Sequence, residues 1–309
     1  MLTGLDHIII GVNDLAGAEA IFGQNLGLAV SGGGIHPTGG TANRVIVIGD
    51  TYIELIAIRE PREAQRSMLD RLAKGDGYLN FVLSSDDIYA DSAAIVQRGT
   101  PVIGPMPGRL TSPGGRARGW LRADIERPDL TQRYPFIIQH DSAGAERRFR
   151  LAGYQPPPAH APGAVKVLSA TVAVADLAEA AQRFQRIYGL QPSEPYPGDA
   201  DGWEAALVAF SLGHSGQHVE LAAPLSMGDE EDLESTIFPE TGSLTYHLQT
   251  YGESLCRIAL AVEDLDSARQ FLDQHGVTYT YQDMSHPVLW IHSTHSCGAA
   301  ITLHQAVTP

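Results

Sequence analysis

One local pattern recurs four times along the chain and limits the fold more tightly than any composition figure. Residues 5–12 read as a strand, Asp14-Leu15 opens a helix with Phe22 in its core, and Gly27-Leu28 closes it. Residues 167–174, Asp176-Leu177, Phe184 and Gly189-Leu190 repeat the unit with the same spacing, 8 residues from Asp to Phe and 13 from Asp to Gly. Shorter copies run from Tyr78 through Asp87-Ile88 to Gly99 and from Leu255 through Asp264-Leu265 to Gly276, each with 12 residues from Asp to Gly. An Asp caps the free amides of a helix start, and a Gly supplies the left-handed residue that ends it. Strand-like segments follow, for example 42–48 and 52–58, or 205–212 and 218–223. The expected fold class is α+β, with four βαβββ modules forming two paired-module domains with curved mixed sheets. The proline-rich stretch from Gln155 to Gly163 can continue neither a helix nor a central strand. It divides the chain into a domain over 1–150, a linker over 151–164 and a domain over 165–309.

Composition then excludes function classes. The 309 residues carry 21 Lys plus Arg against 36 Asp plus Glu, a net charge of -15 that repels phosphate backbones and anionic lipid surfaces. Nucleic acid and membrane are therefore not expected partners. Two cysteines, Cys256 and Cys297, cannot build a disulfide scaffold and suit a reducing compartment. No apolar run approaches the roughly 20 residues that span a bilayer, and the first residues lack a basic, then apolar, leader pattern. A cytoplasmic location is expected. No glycine-rich run sits between a strand and a helix as dinucleotide sites require. The run Asp229-Glu230-Glu231-Asp232 reads as a solvated loop or helix start.

The four units together resemble the vicinal oxygen chelate superfamily, which includes glyoxalase I, extradiol ring-cleavage dioxygenases and bleomycin-resistance proteins. Residues Gly32-Gly33-Gly34-Ile35-His36-Pro37, Gly40-Thr41-Ala42-Asn43-Arg44 and Tyr52-Ile53-Glu54-Leu55-Ile56-Ala57 resemble its glyoxalase-like branch, as do Gly108-Arg109 and residues 134–138. Fold alone does not choose among the chemistries of such a superfamily.

Alternation along strands separates two faces. Ile8, Ile10 and Val12 match Phe81 and Leu83, then Val172 and Val174, then Ile258, Leu260 and Val262; these should pack on the helices. Seven residues before each capping Asp, the opposite face carries His7, Asn80, Ser169 and Arg257. On the last strands, Glu54 faces the same way, with Gln139, Glu220 and Thr302 as its equivalents. The resemblance implies that these positions point into a cleft and, in glyoxalase I, hold a divalent metal. His7 and Glu54 are the expected metal ligands here, with zinc, iron, nickel or manganese suited to them; a hydrogen-bonded His7–Glu54 pair without metal is an equal alternative. His36 is the candidate further donor, and Glu54 and His36 are the candidate catalytic pair. Thr41, Asn43, Asn80 and Gln139 are the candidate substrate-binding residues, although Asn43 and Arg44 cannot both face the cleft. Arg109, Arg116, Arg118 and Trp120 read as solvated surface groups in preference to an anion clamp. In the C-terminal half, Arg257 should pair with Glu220 because a guanidinium cannot ligate metal.

Three functions follow in order. The first is a metal-assisted lyase or isomerase acting on a small carbonyl or vicinal-oxygen compound. The second is a metal-independent small-molecule binding or sequestering protein, and the third is an extradiol dioxygenase. A small-molecule ligand and a homodimer are the expected partners.

Overall fold

The computed structural model describes residues 1–112, 114–126, 134–198, 205–225, 244–283 and 286–307; the acidic run at 229–232 lies outside them. All four modules are present. The first comprises β1 (Leu2–Gly11), α1 (Leu15–Ala20), β2 (Gly33–Ile35), β3 (Thr41–Ile48) and β4 (Thr51–Ile58). After α2 (Arg66–Leu72), the second comprises β5 (Gly77–Ser85), α3 (Ile88–Gln97), β6 (Val102–Thr111), β7 (Ala117–Ile125) and β8 (Phe136–His140). After α4 (Gly144–Leu151), the third holds β9 (Ala164–Ala173), α5 (Leu177–Tyr188), β10 (Tyr196–Pro197), β11 (Ala205–Leu212) and β12 (Gln217–Pro224). After α6 (Leu244–Tyr251), the fourth holds β13 (Ser254–Val262), α7 (Leu265–Gln274), β14 (Tyr279–Gln282), β15 (Val288–Ile291) and β16 (Ala300–Gln305).

The helix signals act as their chemistry requires. The side chains of Asp14, Asp87, Asp176 and Asp264 accept from the amides of Ala16, Ala90, Glu179 and Ser267. Gly27, Gly99, Gly189 and Gly276 all have positive φ.

Two eight-stranded sheets result, ordered β2-β3-β4-β1-β5-β8-β7-β6 and β10-β11-β12-β9-β13-β16-β15-β14. In each, the first strands of two modules run antiparallel side by side, β1 with β5 and β9 with β13. Each also runs parallel to the last strand of its own module. First therefore pairs with second and third with fourth, as α+β modules of this kind require.

The helix-bearing faces of both sheets contribute to one continuous apolar core, with Ile8, Ile10, Phe81, Val172, Ile258 and Leu260 among its members. Polar links tie the halves together within it: the Leu5 amide donates to Gln217 Oε1 at 2.9 Å, and the Tyr78 hydroxyl donates to the Ala300 carbonyl at 2.6 Å. The opposite face of each sheet is covered by a connecting helix. The end of α4 sets Leu151 and Ala152 against Val45, Val47 and Tyr52, and Leu244 of α6 packs on Leu207, Ala222 and Cys256. A Cβ at Gly32 would lie 1.9 Å from the Leu151 carbonyl oxygen, so this glycine admits the protein's own backbone at the cleft rim. Among the described residues, no helix is long and apolar enough to cross a membrane.

Ile10 has no exposed surface. Ile10→Ala should lower unfolding free energy by about 2–5 kcal/mol, measured by denaturant titration, whereas Val307→Ala at the exposed C-terminal end should change it little.

Candidate functional site

The N-terminal sheet gathers its polar side chains on the face away from the core helices. A bulge in the β1–β5 ladder, where Leu5 pairs with Leu83 and His7 with Val82, leaves Asp6 unpaired. Asp6 Oδ1 stands 2.7 Å from His7 Nδ1 and 3.3 Å from His140 Nε2, while Arg147 of α4 donates to Asp6 Oδ2 at 2.6 Å. His7 stacks on Tyr52, ring centroids 4.5 Å apart, and points Nε2 at Glu54 Oε2, 3.8 Å away. Glu54 Oε1 accepts from Asn43 Nδ2 at 2.5 Å and lies 3.5 Å from His36 Nε2. The other His36 nitrogen, Nδ1, is 2.8 Å from Thr41 Oγ1, and Asn43 Oδ1 accepts from the Gly34 amide at 2.9 Å. Asp6, His7, Asn43 and Glu54 are all buried.

The electrostatics follow from this packing. Burial alone would raise the Asp6 carboxyl, but the Arg147 guanidinium and His140 outweigh it and hold Asp6 well below the usual carboxylate range. Burial also works against the Glu54 anion; hydrogen bonding from His36, the charges of His7 and His36, and the Asn43 amide bring it down to about 2. Burial lowers His140, against the raising pull of Asp6.

Five sequence candidates thus converge: His7, His36, Thr41, Asn43 and Glu54. Arg44 turns the other way, its Nε 2.7 Å from Glu19 Oε2 of the first module, which resolves the parity conflict with Asn43. Two candidates stand apart. Asn80 pairs across the ladder with Ile9; its Nδ2 donates to the Tyr134 carbonyl at 3.0 Å. Gln139 is off the cleft by one residue. Its Oε1 accepts from the Ile88 amide at 3.0 Å and its Nε2 donates to the Asp86 carbonyl at 2.8 Å, which braces the start of α3. Gln305 braces α7 in the same way, through the Leu265 amide and the Glu263 carbonyl. Gln139 therefore corresponds to Gln305, and the position equivalent to Thr302 is Phe136. That half of the cleft is apolar, with Ile9, Val82, Phe136, Ile138 and Trp120 packed together. Sequence reasoning missed Asp6, Arg147 and His140. Only the repeated brace of Gln139 and Gln305 carried a signal for the register, because the bulge at Asp6 and the reach of α4 are tertiary.

The arginine-rich hairpin also differs from expectation. Arg109 is exposed, but Arg118 is buried, 5.9 Å from both the Tyr52 and Trp120 rings.

The C-terminal cleft contains the expected ion pair. Arg257 donates to Glu220 Oε2 at 2.9 Å, and the same carboxylate receives Thr171, Ser169 and Tyr196 hydroxyls, with His218 at 3.2 Å. Despite burial, His218 and Arg257 hold Glu220 far below the usual carboxylate range.

Three measurements check these roles. Arg147→Met should destabilise by roughly 3–5 kcal/mol because it strands the buried Asp6 anion, and pairing it with Asp6→Asn should recover much of the loss. Gln139→Ala should cost about 1 kcal/mol through the α3 start and leave ligand binding unchanged. Glu54 titrates near 4.5 when unfolded and about 2 when folded. Its ionised form therefore adds stability above about pH 4.5 that is lost as pH falls through 2, and the stability gap between wild type and Glu54→Gln should shrink over that window.

Comparison with known proteins is consistent with this geometry. No curated protein matches the chain. A hypothetical protein from Staphylococcus aureus superposes with a TM-score of 0.66 at 13% identity, covering 98% of this chain and 99% of that one. A triple mutant of 4-hydroxymandelate synthase from Streptomyces coelicolor superposes with a TM-score of 0.61 at 12% identity, covering 100% of this chain and 95% of the other. At such identity these likenesses establish the fold alone. The family described as Glyoxalase/Bleomycin resistance protein/Dioxygenase superfamily matches residues 170–288, and that described as Glyoxalase-like domain matches residues 5–188. With more than half its length matched by the latter and four βαβββ modules in paired sheets, the chain belongs to the glyoxalase-like domain family of the vicinal oxygen chelate superfamily.

Proposed function

We propose that the N-terminal cleft acts on a small carbonyl or vicinal-oxygen compound, as a metal-assisted lyase or isomerase of the glyoxalase type. One observation carries the reading: two imidazoles are tied down at Nδ1, by Asp6 and by Thr41, and both aim Nε2 at the ionised Glu54. Fixing one ring nitrogen so that the other presents its lone pair is how proteins prepare histidines as metal ligands. Among the described residues, no group of three or more His, Cys, Asp or Glu side chains stands as a ready metal site. The donor types nevertheless fit, since two imidazoles and a carboxylate suit zinc, iron, nickel or manganese. A divalent ion held by His7, Glu54 and His36 would supply polarisation of a substrate carbonyl.

The chain's own residues do the rest. On an α-hydroxy carbonyl compound, Glu54 is the base placed to take a proton from the hydroxyl-bearing carbon, leaving the electron pair on the carbonyl oxygen, and to return that proton to the former carbonyl carbon as the hydroxyl proton passes to the neighbouring oxygen and a carbonyl forms at the first carbon. As it stands Glu54 is a weak base, at about 2. When Asn43 turns from Glu54 to a substrate oxygen, the carboxylate loses one of the contacts that depress it and its basicity rises. Asp6 keeps His7 in one tautomer, and Arg147 keeps Asp6 ionised.

A second reading, metal-independent binding or sequestration, draws support from the partners that these groups already have. Glu54 is satisfied by Asn43, and Asp6 by Arg147. Elemental analysis of untagged protein separates the two. Near-stoichiometric transition metal is expected, lost in His7→Ala and Glu54→Ala while both variants keep a cooperative thermal transition. Undiminished binding of a small dicarbonyl after complete chelation would favour sequestration instead.

A further inference from the structure

We propose that Arg118 forms a carboxylate-binding subsite of the N-terminal cleft, so that the compound taken there is a small acid bearing an oxygen function beside its carboxylate. This rests on the cleft reading above and specifies its substrate class.

Arg118 lies on β7, with 7% of its surface exposed. Every other buried arginine of the N-terminal half has a stated oxygen partner: Arg71 donates to the Gly75 carbonyl and Arg147 to Asp6. Arg118 has none among the described residues, neither hydrogen bond nor carboxylate; its guanidinium lies 5.9 Å from the ring centroids of Tyr52 and Trp120. Its nitrogens are not among the fully buried, unpartnered polar atoms, so an incoming acceptor can reach the guanidinium without displacing a protein partner.

The space for that acceptor is present. Arg118 lines a small cavity of about 10 Å³ together with Ser112, Arg150, Tyr154, Gly33 and Leu110. That is room for about one water-sized group, which suits the compact end of a carboxylate better than a tetrahedral phosphate. Arg150, already paired with Glu146 and Asp141, adds positive potential without needing the ligand. Planar carboxylates match a guanidinium fork with two parallel hydrogen bonds.

The cavity adjoins the polar cluster through two shared elements. Tyr52 carries His7 on its ring at 4.5 Å and Arg118 at 5.9 Å. Gly33 begins β2, whose Gly34 amide is held by Asn43 and whose end leads to His36. A carboxylate on Arg118 would therefore lie on the Tyr52 side of the polar cluster, and α-keto and α-hydroxy acids carry, next to the carboxylate, an oxygen function to turn toward that cluster.

Pyruvate, neutral hydroxyacetone and inorganic phosphate are the probes, titrated calorimetrically into the full chain with its metal content held constant. Pyruvate should bind wild type saturably. Arg118→Met should weaken it about tenfold or more, with Arg118→Lys intermediate and hydroxyacetone unchanged by either. The lysine variant serves alone if the methionine variant fails to fold, and exposed Arg109→Met is the control for general charge. Equal pyruvate affinity in wild type and both Arg118 variants overturns the subsite, as does no pyruvate binding to wild type. Phosphate binding that exceeds pyruvate and is lost with Arg118 overturns the assignment to carboxylates. Glu54→Ala makes failures distinguishable: hydroxyacetone binding lost there, with no Arg118 effect on pyruvate, leaves the cleft reading and removes the subsite. Pyruvate binding kept in Glu54→Ala but lost with Arg118 does the reverse.

Discussion

The antiparallel pairing of β1 with β5, repeated by β9 with β13, is the constraint from which the molecule follows. A single βαβββ module has one helix and a short curved sheet, too little to enclose a cavity. Joining two modules along their first strands doubles the sheet and places the opposite faces of both modules around one cleft. The same pairing directs the apolar sides outward from the cleft, where Ile8, Phe81, Val172 and Ile258 enter one shared core. Core and cleft are therefore two faces of the same strands, and side-chain alternation decides which residues serve each.

The cleft is built around compensated charge. Asp6 is buried, and its anion persists because Arg147 reaches down from α4 and His140 stands on the other side. That contact also sets the position of α4, whose end presses Leu151 on Val45 and its carbonyl on Gly32. One ion pair thus links helix placement, the orientation of His7 and the field felt by Glu54. Its value lies in specifying this arrangement more than in net stabilisation, since desolvating two charges offsets much of their attraction.

The two clefts have taken different chemical courses on one backbone plan. In the N-terminal cleft, His7 and His36 both direct Nε2 at Glu54, and Arg118 has no acceptor among the described residues. In the C-terminal cleft, Arg257 fills the equivalent space and Glu220 is saturated by hydroxyls, His218 and the guanidinium. A carboxylate so fully engaged has little left to offer a ligand.

Much of this was legible in the residues alone. Capping Asp and terminating Gly are local signals, read by the backbone within a few residues, and all four recur where the repeat predicts them. Strand alternation likewise placed His7 and Glu54 on one face and allowed only one of Asn43 and Arg44 to join them, because a period of two needs no tertiary information. Gln139 escaped, since β8 is short and its register depends on pairing with β5, which begins at Val82 with Phe136. The unpaired Asp6 escaped because a bulge breaks alternation only when two strands meet. Arg147 and Arg118 look like ordinary surface charges in sequence, and a charged residue reads as solvated unless something covers it. Only the folding of α4 and of the β6–β7 hairpin over the sheet decided that one would neutralise a buried acid and the other would line a small cavity, because burial is a property of distant segments brought together and has no local code.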